Sequence, residues 1–215
     1  MQFNIADIFE SVAARCPDRK ALACGETVMT FGDLDAAGNR LASSLAQRGI
    51  GPGDHIGLHL YNSTEFVVGM LAALKLRAVP ININYRYVAD ELRYLFEDAD
   101  LVALIHEDEL APVIEPAIAG GSRIRTFVSV RGSASSAGLG SVAFDTLMAD
   151  GDPNATFGPR SGDDLYIIYT GGTTGMPKGV MWRHEDIFFA GLQGGRAGGD
   201  PVERPEEVAD HAVEE

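Results

Sequence analysis

Apolar positions along this chain switch repeatedly between the spacing of a helix and that of a strand. Thr30, Phe31, Gly32 and Asp33 read as a variant capping box, in which a hydroxyl and an acid three residues apart satisfy the first free amides of a helix. Leu34, Leu41 and Leu45 then follow near helical spacing until Arg48 and Gly49 stop the run. Within residues 54–60, Ile56, Leu58 and Leu60 alternate, the period of a half-buried strand. Asn62, Ser63, Thr64 and Glu65 open a second helix through Phe66, Met70, Leu71 and Leu74, and residues 78–83 return to extended structure. Two more cycles follow: a helix over 90–97 with an apolar strand over 101–105, then a helix over 110–119, despite Pro112 and Pro116, with a β-branched strand over 126–130. Apolar strands alternating with helices predict an α/β fold, a mainly parallel sheet flanked by helices on both faces.

The pattern then loosens. Residues 132–140, GSASSAGLG, are low in complexity and predict a mobile surface loop. Residues 150–163 are rich in Gly, Pro, Asn and Asp and lead into an apolar strand over 165–169. A glycine-rich segment follows, then extended chain over 179–182 and a short helix over 185–192. From Gly194 onward there is no apolar period and acids outnumber bases. The expected organisation is therefore a packed unit over 1–193 and an acidic, unpacked tail over 194–215.

Composition narrows the function classes. With 46% hydrophobic and 22% charged residues the chain is an ordinary globular one, which excludes a disordered or fibrous class. No apolar run approaches the roughly 20 residues of a spanning helix, and the first ten residues carry acids where a secretory leader carries bases, so no transmembrane segment and a cytoplasmic location are expected. A net charge of −14 without clustered Lys and Arg argues against a nucleic-acid partner. Cys16 and Cys24 have no metal or redox spacing and read as reduced thiols. His55, His59, His106 and His211 are scattered with no ligand spacing, so no metal ligands are assigned, and His184 reads as a helix-entry residue. Residues 49–53, GIGPG, follow a helix and read as its cap and turn rather than as a dinucleotide loop. Tyr85, Tyr87 and Tyr94 read as packing around a helix start.

The candidate chemistry lies in residues 169–180, YTGGTTGMPKGV, just past an apolar strand, where α/β proteins commonly hold phosphate. Gly171, Gly172 and Gly175 let the backbone approach a ligand closely, Thr170, Thr173 and Thr174 supply hydroxyls, and Lys178 supplies a mobile cation. Pro177 removes one amide and stiffens the exit. The order differs from the Walker loop, because Pro177 precedes the lysine and Gly179 follows it. A plain hairpin turn is the competing reading of two glycines between β-rich runs, but a turn alone explains neither the threonines nor the lysine.

This segment resembles the phosphate loop of the AMP-forming adenylating superfamily, which includes acyl-CoA synthetases, luciferases and peptide-synthetase adenylation domains. Gly172 stands where the family usually has a serine, which removes a hydroxyl and keeps an amide. The likeness continues in MTFGDL (29–34), GDHIGL (53–58), NSTEF (62–66), LKLRAVP (74–80) and NIN (82–84), so it covers about residues 5–192, and these segments look closer to fatty-acyl and sterol-side-chain CoA ligases than to amino-acid adenylating domains. The resemblance implies a two-step reaction: a carboxylate attacks the α-phosphorus of ATP to give acyl-AMP and pyrophosphate, then coenzyme A displaces AMP. It implies that Thr170, Gly171, Gly172, Thr173, Thr174, Gly175 and Lys178 hold the β and γ phosphates of ATP with Mg2+, and that the acid is fatty or sterol-side-chain. The family's adenine site, metal acid, ribose aspartate and C-terminal lysine all lie downstream of this loop, so no catalytic residue is assigned and an N-terminal fragment is expected. A non-catalytic remnant with weak nucleotide or partner binding is the alternative, and an amino-acid adenylation fragment a further one.

Overall fold

The computed structural model describes residues 1–132, 137–172, 175–196 and 198–214. Helix α1 (Ile5–Arg15) precedes a two-stranded antiparallel hairpin of β1 (Lys20–Cys24) and β2 (Thr27–Thr30). The main run is α2 (Phe31–Gln47), β3 (His55–His59), α3 (Thr64–Lys75), β4 (Val79–Asn82), α4 (Ala89–Asp98), β5 (Ala103–Glu107), α5 (Ala111–Ile118), β6 (Thr126–Val130), β7 (Val142–Ala143) and α6 (Phe144–Asp150). It closes with β8 (Leu165–Gly172), β9 (Gly175–Arg183), α7 (His184–Gly191) and α8 (Glu206–Glu214). Seven strands form one sheet in the order β7-β6-β5-β3-β4-β8-β9, and only the β8–β9 pair is antiparallel. The expected α/β architecture with a mainly parallel sheet is the one observed.

Local chemistry accounts for the main elements. Thr30 caps α2 by accepting from the Asp33 amide at 3.1 Å, and Asp33 accepts in return from the Thr30 amide at 3.0 Å. One core on one face of the sheet joins Leu41, Leu45, Ile56, Leu58 and Val128, and a second on the other joins Ile81, Ile83, Leu92, Leu95 and Leu104. Strand β3 lies between these cores, so it is buried on both faces rather than half-buried as its alternation predicts. Gly57 makes this possible: a β-carbon there would sit 2.8 Å from Ile83 Cδ1 and from Leu104 Cδ1. Among the described residues no helix is long and apolar enough to cross a membrane.

The acidic end is packed, contrary to the expected loose tail. Val202 and Ala209 are buried, α8 lies against α1, and Arg15 pairs with Asp210. The cause is a local period missed in the acid-rich run: Val202 joins Ile8 and Phe188 in a small apolar cluster, with Val208 packed against it. Within 132–140, positions 133–136 lie outside the described residues, Ala137–Leu139 form a 3-10 turn, and Leu139 is buried.

Charged side chains tie α1 to the segment that enters β8. Lys75 is fully buried, and its Nζ donates to Glu10 Oε1 and to Asp35 Oδ1 at 2.8 Å. Arg160 donates to Asp7, to both oxygens of Glu10 at 2.8 Å and to the Lys75 carbonyl at 3.0 Å. Burial pushes the Glu10 carboxyl up, but the hydrogen bonds from Arg160 and Lys75 outweigh it and hold Glu10 below its usual range. Nearby, Arg77 grips Asp164 with Nε and Nη2, and Asn4 donates to Asp164 Oδ2 at 3.0 Å.

Candidate functional site

Strand β8 pairs in parallel with β4 at Ile81 and Ile167, then continues through residues 168–172, well past the end of β4 at Asn82. The glycine segment is thus carried beyond the carboxyl edge of the parallel sheet, the usual side for ligands in open α/β folds. It forms the paired ends of the antiparallel strands β8 and β9. Tyr169 lies opposite Gly179, Thr170 opposite Lys178 and Gly172 opposite Gly175, with a register irregularity between Thr170 and Gly172. Hairpin and glycine loop, weighed as competitors in the sequence, are one object.

Directly opposed residues of an antiparallel pair share a face, so Thr170 and Lys178 present a hydroxyl and a cation side by side. Both are exposed, as is Gly171, and Lys178 has no ion-pair partner among the described residues. Pro177 is buried and fixes the strand beside the lysine. Thr173 and Thr174 lie outside the described residues. The donor set of a hydroxyl, a cation and glycine amides fits phosphate oxygens. Residues 169–180 include no acid, so this segment offers a magnesium ion hydroxyls but no carboxylate.

Further along the same edge lies a second polar group that sequence spacing hid. His59 and His106, scattered in the sequence, are register partners on β3 and β5, and both are fully buried. His106 Nδ1 meets the Glu107 carbonyl at 2.8 Å and its Nε2 meets Ser141 Oγ at 2.9 Å, whereas neither ring nitrogen of His59 makes a hydrogen bond of good geometry among the described residues, the Asn84 backbone being only a weak neighbour. Burial, then the neighbouring His106, pushes His59 down to about 4. Burial likewise lowers His106. Glu107, almost wholly buried, accepts from the Tyr61 amide at 3.1 Å and from Arg131, which also reaches Glu65. The Tyr61 and Tyr85 rings meet edge-on at 4.9 Å, so Tyr85 packs near the sheet edge, while Tyr87 packs on the second core. Strand register, invisible without the fold, is what brings these residues together.

The remaining singled-out residues lie elsewhere. His184 begins α7 at the far end of β9 from Gly175, buried, with no ring hydrogen bond of good geometry among the described residues and its pKa lowered by burial. Cys16 and Cys24 are free thiols. Gly49 and Gly53 take positive φ in the turn after α2, as a helix cap requires. Among the described residues no group of three His, Cys, Asp or Glu is placed to hold a metal ion.

Comparison with known proteins identifies the family and the fold. A family model described as AMP-binding enzyme matches residues 9–207. The chain is 44% identical over 191 residues to a medium/long-chain-fatty-acid–CoA/3-oxocholest-4-en-26-oate–CoA ligase of Mycobacterium marinum, covering 86% of this chain and 35% of that protein. It is 42% identical over 190 residues to a 3-oxocholest-4-en-26-oate–CoA ligase of Rhodococcus rhodochrous, covering 87% of this chain and 34% of that one. Among solved structures, the anthranilate CoA ligase AuaEII in complex with anthranoyl-AMP superposes with a TM-score of 0.82 at 25% identity, over 89% of this chain and 37% of the other. A long-chain-fatty-acid-CoA ligase from Archaeoglobus fulgidus gives 0.77 at 25% identity, over 90% and 39%. The chain therefore spans about a third of the length of the curated relatives it matches. With the family match running over most of its length and its fold shared by solved CoA ligases, the chain belongs to the AMP-binding enzyme family.

Proposed function

We propose that this chain is the N-terminal part of an ATP-dependent acyl-CoA synthetase and carries its ATP phosphate-binding loop. The observation that carries the reading is the β8–β9 hairpin, which sets Thr170 opposite Lys178, a cation with no ion-pair partner among the described residues, beyond the carboxyl edge of the sheet. The roles of Thr170, Gly171, Gly172, Thr173, Thr174, Gly175 and Lys178 follow: amides and hydroxyls cradle the β and γ phosphates, and the lysine neutralises charge as pyrophosphate leaves. Magnesium, when bound with ATP, would spread the negative charge of the phosphates. The acid is a fatty or sterol-side-chain carboxylate and the second substrate coenzyme A, a choice supported by the names of the most similar relatives. Those names also favour thioester formation over amino-acid adenylation.

Lys178→Ala tests the assignment. Calorimetric titration of the 215-residue chain with magnesium ATP should show binding that weakens about tenfold in the variant, the scale of one charge-assisted hydrogen bond. Equal affinity in both proteins would remove Lys178 from the site.

A further inference from the structure

The phosphate hairpin leaves the sheet with little to hold its direction. Strand β8 loses its parallel neighbour after Ile167 and β9 is the outermost strand, so the ribbon beyond residue 168 is a two-stranded extension of the kind that is marginal alone. One side chain stands at its root. Tyr169, the residue before Thr170, pairs across the ribbon with Gly179, and its ring lies over that glycine: a β-carbon at Gly179 would be 3.1 Å from ring atoms Cε2 and Cζ. An aromatic ring covering a cross-strand glycine restores the contact the glycine lacks. The same ring packs on the second core, and its hydroxyl donates to Asp98 Oδ2 at 2.7 Å, at the C-terminal end of α4. Beyond this point come the Thr170–Lys178 pair and then the register irregularity, so Tyr169 is the last fixed point before the turn.

We propose that Tyr169 is a positioning residue: its ring on Gly179 and its hydroxyl on Asp98 clamp the root of the hairpin to α4, aim Thr170 and Lys178, and so set how tightly the loop holds phosphate. The proposal rests on the phosphate-binding reading above for its affinity arm and on geometry alone for its mobility arm. Burial, and then the bond to Asp98, raises the Tyr169 pKa, which keeps the hydroxyl a donor across the physiological range.

The test uses the 215-residue chain with magnesium ATP as probe and reads three quantities: affinity, amide hydrogen exchange at Lys178 and Gly179, and exchange at Leu58 and Ile105 in the sheet interior. Tyr169→Ala should weaken affinity about tenfold and speed exchange at 178 and 179, with the interior amides unchanged. Tyr169→Phe, which keeps the ring, should recover exchange protection and most of the affinity, leaving a loss of about threefold or less for one surface hydrogen bond. If Tyr169→Ala does not fold, Asp98→Ala at an exposed helix end takes its place, with the same threefold loss and modestly faster exchange at 178 and 179 expected. Wild-type affinity and wild-type exchange in these variants would overturn the clamp, as would losses that track the interior amides. Should the unsubstituted chain give no heat with magnesium ATP, the phosphate reading fails, and the exchange arm decides the clamp by itself.

Discussion

Replacing Glu10 by alanine is expected to lower the stability of the fold by about 3 kcal/mol, the scale measured when one partner of a buried ion pair is removed. Lys75 is fully exposed to the consequence because it is fully hidden from water: its ammonium has 0% of its side-chain surface exposed and depends on Glu10 and Asp35 for charge balance. Arg160, with 4% of its side chain exposed, shares the same carboxylate. Removing Glu10 strips one anion from two buried cations, while Asp35 and Asp7 remain to limit the loss. Lys75→Met supplies the contrast, since it removes the charge and keeps a chain of similar length beside Gly38 and Leu71. Urea denaturation should therefore rank wild type above Lys75→Met and Lys75→Met above Glu10→Ala. An unchanged midpoint for Glu10→Ala would show that the network does not hold α1 to the approach of β8.

Acid should weaken the protein well before its carboxylates titrate. His59 is buried without a hydrogen bond of good geometry among the described residues, and its pKa falls to about 4 in the fold. Unfolding restores a value near 6.5, so between those limits the unfolded chain binds a proton that the folded chain refuses. The contribution of a neutral buried histidine is thus complete above about pH 6.5 and is lost as pH falls toward 4, on the order of 3 kcal/mol for His59. His106 and His184, whose pKa values burial also lowers, act in the same direction. Glu10 and Glu65, held below their usual range, add a further loss only below about pH 4.5. The urea midpoint should accordingly fall between pH 7 and pH 5, and the fall should be shallower in His59→Leu, which cannot take up the proton. A midpoint flat over that range would contradict the buried, neutral pair.

Much of this architecture was legible in the residues. The Thr30–Asp33 box, the apolar alternation of β3 and the β-branched run of β6 each named an element because local propensity and tertiary packing agree there. Helix α1 was not predicted, although Ile5, Ile8 and Val12 follow an Asn4 cap that accepts from the Ala6 amide at 3.0 Å, because the polar residues around them obscure the period. The acidic end misled for a related reason: its high charge hid Val202, Val208 and Ala209, whose burial depends on α1 and α7 being in place. The glycine loop stands out in the sequence as a candidate phosphate site through its run of Gly, Thr and Lys. Its clamp does not. Tyr169 meets Asp98, seventy-one positions away, only through the pairing of β8 with β4 and the packing of α4 on the sheet. The His59–His106 pair likewise exists only through the register of β3 with β5.

Mapping amide resonances of the 215-residue chain during titration with magnesium pyrophosphate asks whether the β8–β9 hairpin holds the phosphates of ATP. The amides of Thr170, Gly171, Gly172, Gly175 and Lys178 should shift together and saturate, while those of α5 and β6 stay in place. Saturating shifts elsewhere with these five amides unmoved would contradict a phosphate-holding hairpin.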